Sequence, residues 1–65
     1  MILVSDYDRA HVGEVLGDTK RYTHWTAKFW RLYHVSDPEH RAALANAAPE
    51  HASVYEAWER SPDPS

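Results

Sequence analysis

The sequence predicts an all-α domain: three to four short helices in a compact bundle, with the N-terminal residues 1–4 extended. Three observations carry this prediction. Large apolar side chains recur at helical spacing from Asp18 to Val35. Ser36-Asp37-Pro38-Glu39 and then Pro49 punctuate the following stretch as two further helix starts. Finally, a chain of 65 residues with no cysteine but eight aromatic side chains must be held by ring packing or self-association, because no disulfide staple is available.

Met1-Ile2-Leu3-Val4 is apolar for only four residues, lacks a basic region before it and runs directly into Asp6 and Asp8. It reads as neither a signal peptide nor a membrane span, so a cytoplasmic chain without a membrane partner is expected. The segment has three readings: an extended arm, a strand pairing with another chain, or apolar residues folded back on the core. Ser5-Asp6-Tyr7-Asp8 opens the first helix, with Ser5 as N-cap and early acidic charge against the helix dipole. This helix is expected to run to about Leu16 with Val12, Val15 and Leu16 on its apolar face. Gly13 weakens it by roughly 1 kcal/mol relative to Ala.

Gly17 and Asp18 then end one helix and start the next. At about 100° per residue, Tyr22, Trp25, Phe29, Leu32 and Tyr33 share an arc of about 100°, the signature of a core-facing stripe. Lys20, Arg21, His24, Lys28 and Arg31 fall opposite, and no acidic residue occurs between Thr19 and Ser36. Trp30 lies off both arcs, at the flank beside His34, and is expected to be partly exposed.

In the third helix, from about Asp37 to Ala47, Ser36 and Glu39 form a capping box and Pro38 occupies the first turn, where its missing N–H costs nothing. Its side chains are small, with Leu44 set among alanines. Pro49 interrupts it, because the residue before a proline is pushed out of the helical region. A fourth helix follows to about Arg60, with His51, Val54, Tyr55 and Trp58 on its apolar face and Glu50, Glu56 and Glu59 around the rest. The core is thus expected around Trp25, Phe29, Leu32, Leu44, Val54 and Trp58. Residues 1–60 make one helical domain and residues 61–65 a flexible tail. The basic second helix and acidic fourth helix are expected to attract across their seam.

Chemistry-bearing residues do not cluster by motif. His11, His24, His34, His40 and His51 are spread over all four expected helices, with no H-E-x-x-H, no histidine pair at i, i+4 and no thiolate. They read as structural or solvated, and neither a metal nor a cofactor is expected. Ser5 and Ser36 are explained by capping, no glycine-rich elbow surrounds a serine, and two glycines do not make a phosphate cradle. A non-enzymatic chain is therefore expected.

A protein-binding module is the favoured reading, using Lys28, Trp30, Arg31 and His34 with Arg21 and His24, since Trp, Tyr and Arg anchor interfaces. A second copy of the chain is one candidate partner. The alternative is nucleic-acid binding through the same basic face, with Trp30 stacking a base; the net charge of −3 and the acidic fourth helix weigh against it.

From Trp25 to Trp58 the order of these features resembles a group of small uncharacterised helical proteins of actinobacteria and their bacteriophages. Asp37-Pro38-Glu39-His40-Arg41-Ala42 carries the resemblance, together with Pro49-Glu50-His51-Ala52 and Tyr55-Glu56-Ala57-Trp58. The group has a more aliphatic second helix than Lys28-Phe29-Trp30-Arg31-Leu32-Tyr33. The resemblance implies a bacterial or phage-encoded accessory protein that engages host machinery, and it transfers no catalytic residue.

Overall fold

Five helices and no strand make up residues 2–61, the part of the chain that the computed structural model describes. They are α1 (Asp6–Ala10), α2 (Val12–Gly17), α3 (Trp25–Val35), α4 (Pro38–Ala47) and α5 (Pro49–Arg60). None is long and apolar enough to cross a membrane. The all-α class is as expected; the expectations for Met1 and residues 62–65 lie outside the described residues.

Ser5 caps α1, its hydroxyl accepting the Asp8 amide at 3.1 Å. The expected first helix is nevertheless two helices, broken at His11 (φ −129°, ψ 37°). The cause is a competition for one carbonyl. In a continuous helix the His11 amide would donate to the Tyr7 carbonyl; instead the His11 ring Nδ1–H donates there at 2.7 Å, and the amide turns to the Asp8 carbonyl at 3.2 Å. The same ring stacks on Tyr7, centroids 4.1 Å apart.

A larger correction concerns the second expected helix, which begins at Trp25 and not at Asp18. Residues 18–24 form a turn organised by Asp18, whose Oδ1 accepts the amides of Lys20 (3.2 Å) and Arg21 (2.9 Å). Tyr22 is buried by this turn rather than by a helix face. The inward side of α3 carries Thr26, Ala27, Phe29, Trp30 and Tyr33. Relative to the expected stripe, the core-facing arc is rotated by roughly 80° toward Trp30. That rotation buries Trp30 completely (0 % exposed) and leaves Trp25 and Leu32 each 52 % exposed, against the expectation for all three.

The helix starts after α3 also differ in detail. Asp37, not Ser36, caps α4: its Oδ1 accepts the His40 amide at 2.8 Å, while the Ser36 hydroxyl donates back to the Leu32 carbonyl at 2.7 Å. Asp37 is held below the usual carboxylate range, chiefly by that amide. The expected capping box is thus replaced by a one-sided cap one residue later. Pro38 and Pro49 open α4 and α5 as expected. The two helices pack closely because Ala48 and Ala52 lie at the seam, both buried.

The core centres on Trp30, Tyr55, His51 and Val15, with Val4, Val12, Phe29 and Tyr33 around them. Leu44, Val54 and Trp58 pack against it half-buried. Val4 is folded back onto α5: it is buried, and its amide donates to Glu50 Oε2 at 2.6 Å, a carboxylate that Arg9 also reaches at 3.1 Å. Ile2 and Leu3 stay exposed.

Candidate functional site

The six residues expected at a binding surface are not brought together. Trp30 lies inside, its indole N–H donating to the His51 carbonyl at 3.0 Å. Arg31 is turned toward the backbone. Its Nη2 donates to the carbonyls of Val15 (3.0 Å), Asp18 (3.0 Å) and Tyr22 (2.6 Å), and its Nε to that of Leu16 at 3.2 Å. A guanidinium fork suits this task, since it satisfies carbonyls at the end of α2 that no helix bond reaches. Arg31 therefore holds the α2–α3 connection and does not contribute to a basic face.

His24 stands at the start of α3 and donates through Nε2 to Asp8 Oδ2 at 2.9 Å, fastening α3 to α1. Arg21 sits in the turn with its guanidinium 5.5 Å from the Tyr22 ring centre. His34 pairs with the Tyr55 hydroxyl at 2.5 Å. Lys28 and His34 are the exposed members of the set on α3, and of the two only the Lys28 side chain lacks a hydrogen-bonded partner among the described residues. The single basic face expected from helical spacing is consequently split.

Two polar clusters show how the remaining charge is used. Arg41 joins α3, α4 and α5: Nε donates to the Tyr33 carbonyl (3.0 Å), Nη1 to Glu59 Oε1 (3.0 Å), and the guanidinium lies 4.8 Å from the Tyr33 ring centre and 5.4 Å from that of Tyr55. The Tyr33 hydroxyl donates to Glu56 Oε1 at 2.8 Å. Burial pushes Tyr33 up to about 12, with Glu56 adding to the effect. Burial likewise pushes Tyr55 upward, while the Arg41 hydrogen bond holds Glu59 below the ordinary carboxylate range. Glu56 and Glu59 are thus neutralised from α4 and Glu50 from α1, where the sequence suggested the basic flank of the second helix.

At the other end, the hydroxyls of Tyr7 and Tyr22 lie 2.7 Å apart and both face Glu14 Oε2, at 3.1 and 3.0 Å. The hydrogen bond shared with Tyr7 is the main reason Tyr22 is pushed well above the ordinary tyrosine range. Both clusters are closed networks in which donors and acceptors answer one another. Among the described residues, no three histidine or carboxylate side chains converge as metal ligands.

Of the open depressions, one of about 450 Å³ lies over the Arg41–Glu56 cluster and one of about 320 Å³ beside Arg9 and Trp58, and a third is the most apolar. This third, a groove of about 300 Å³, runs between α3 and α4, lined by Trp25, Lys28, Phe29, Leu32, Leu44 and Ala47. Trp25 stacks on Phe29 (centroids 5.3 Å, planes 21° apart) and meets the edge of His51 at 4.9 Å. Its ring is therefore fixed in place although half of it faces solvent. Leu32 lies two turns further along the same face, and the exposed Val35 extends the stripe. Compared with protein families, curated proteins and solved structures, the chain matches none.

The sequence held one signal for this groove. From Val35 through Leu32, Trp25, Phe29 and Tyr33 to Trp30, the large apolar residues of α3 span roughly 220° of its circumference at 100° per residue. One small core covers much less than that. Some of these residues had to face outward, and the spacing alone does not say which.

Proposed function

We propose that this chain is a small, non-enzymatic protein-binding module whose α3–α4 groove receives an apolar surface of a protein partner. The observation that carries the reading is the pairing of Trp25 and Leu32, each half exposed on a helix whose other face is fully packed. Rigid aromatic rings beside aliphatic side chains gain binding energy with little loss of rotamer freedom, and such residues commonly anchor interfaces. The resemblance of residues 25–58 to small actinobacterial and phage proteins supports a bacterial or phage-encoded accessory role, acting on a host protein.

The test is co-purification from an actinobacterial lysate with the wild-type chain and with Trp25→Ala and Leu32→Ala. The reading expects one polypeptide retained in stoichiometric amount by the wild type and lost from both variants, with helical circular dichroism unchanged. Retention of every bound polypeptide by both variants would move the binding surface elsewhere.

A further inference from the structure

Helices form both walls of the α3–α4 groove, and their backbone N–H and C=O groups bond within each helix. No sheet edge borders it, so an extended peptide has no ladder to join. An extended occupant would leave its backbone groups to solvent alone, whereas a helix brings its own hydrogen bonds with it. The exposed stripe from Trp25 to Val35 runs the full eleven residues of α3, about 15 Å end to end or nearly three helical turns. That length suits a short helix laid alongside.

Charge then constrains the occupant. Lys28 lines the groove, and no acidic residue occurs between Thr19 and Ser36. On the α4 side, His40, Ala43 and Ala47 share the groove-facing arc with Leu44 by helical spacing, and the carboxylate at its start, Asp37, is engaged by the amide and ring of His40. The ion pairs among the described residues belong to others: Arg9 with Glu50, Arg41 with Glu56 and Glu59, His24 with Asp8, and His40 with Asp37. Lys28 lines the space that an occupant would fill and takes part in none of these pairs.

A second copy fits this poorly. Antiparallel pairing of two α3 stripes about a two-fold axis would set the Lys28 of each copy beside Leu32 of the other, with no counter-charge brought to either. A head-to-tail contact through the acidic side of α5 would need Glu50, Glu56 or Glu59, which Arg9 and Arg41 already engage. We infer that the groove takes an amphipathic helix of a different protein, with aliphatic side chains between Trp25 and Leu32 and a carboxylate against Lys28. This inference rests on the protein-binding reading and adds the form and charge of the partner.

The test is a selection on the full chain from a displayed library of 18-residue helical peptides. Leucines repeat at i, i+3, i+7 and i+10, and each flanking position is divided equally among Glu, Gln and Lys. Enrichment of Glu at one flank is expected. Lys28→Glu should then weaken the selected peptide at least tenfold and be rescued by the peptide carrying Lys in place of that Glu, whereas Leu32→Ala should weaken both peptides alike. No enrichment, or enrichment of Lys, overturns the inference. Peptides that need Leu32 but ignore Lys28 overturn the acidic helix and keep the groove as a protein site. Peptides indifferent to both Trp25→Ala and Leu32→Ala overturn the groove itself. A dimer by light scattering that dissociates on Leu32→Ala, or binding to anionic vesicles through Lys28 without any peptide selected, assigns the face to a second copy or a membrane surface instead.

Discussion

The two faces of α3 are built from the same kinds of residue and serve opposite ends. Inward, Trp30 and Tyr33 are buried with their polar atoms answered, by the His51 carbonyl and by Glu56. Outward, Trp25 and Leu32 present half of their surface to solvent beside Lys28. Basic side chains divide in the same way, since Arg31 collects backbone carbonyls while Lys28 lines an open groove. Residue type is thus a poor guide to role in so small a domain. What decides is whether a neighbouring element supplies a partner for the polar end of the side chain.

The sharpest way to break this comparison is Trp30→Ala. Removing a fully buried indole leaves a cavity and withdraws the second hydrogen bond of the His51 carbonyl, and a cost of about 3–5 kcal/mol is expected in denaturant unfolding. In a domain this small, that is enough to leave much of the population unfolded. A cost below about 1 kcal/mol would mean that the ring is not where the core is.

Arg31→Met keeps the stem of the side chain but withdraws the donors from four carbonyls. About 1–3 kcal/mol of destabilisation is expected, with faster amide exchange in residues 15–22. Lys28→Met on the other face should change stability by less than about 0.5 kcal/mol. Equal effects of the two substitutions would erase the distinction between structural and available cations.

A smaller effect is expected from pH. His51 is fully buried among Trp25, Phe29 and Trp30, shares a hydrogen bond with Thr26 Oγ1 at 2.9 Å and leaves Nδ1 without a partner. Burial lowers its pKa, against weaker upward pulls from Glu50 and Asp8. The unfolded chain therefore takes up the proton first, and stability should fall as pH drops below about 6.5. Tyr33 and Tyr55 act in the opposite range. Their raised values mean that the unfolded chain loses these protons first, so stability should also fall as pH rises above about 10. Denaturant midpoints across pH 5 to 11 would show a plateau between the two slopes; a midpoint still rising from pH 6.5 to 5 would contradict the neutral, buried His51.

Leu32→Ala should cost the fold least of the apolar truncations, about 1 kcal/mol or less, because half of the side chain is already in water. Its effect on partner binding should exceed its effect on the melting temperature.

These contrasts also mark what the sequence made legible. Helices α4 and α5 were readable to within a residue, because Pro38 and Pro49 fix helix starts by local chemistry that tertiary contacts do not change. Ser5 as a cap and Val12 and Val15 as core residues were readable for similar reasons. The stretch 18–24 was not, since its backbone is held by the Asp18 carboxylate and by Arg31 from 13 residues away in the chain, and a helical wheel contains neither contact. The same holds for the break at His11, where the ring and the amide compete for one carbonyl. Of the expected site residues only Lys28 lies on the groove, because an apolar arc as wide as that of α3 has several possible inward centres. The structure selects the one that buries Trp30.

Hydrogen exchange of the indole N–H groups near neutral pH, followed by NMR and assigned with Trp25→Phe, tests that division of α3 most directly. The Trp30 N–H, bonded to the His51 carbonyl in the core, should exchange only on global unfolding, while the Trp25 N–H should exchange within the dead time until a groove-binding helix protects it. A protected Trp25 and a freely exchanging Trp30 in the unbound chain would reverse the two faces and remove both the proposed core and the proposed docking groove.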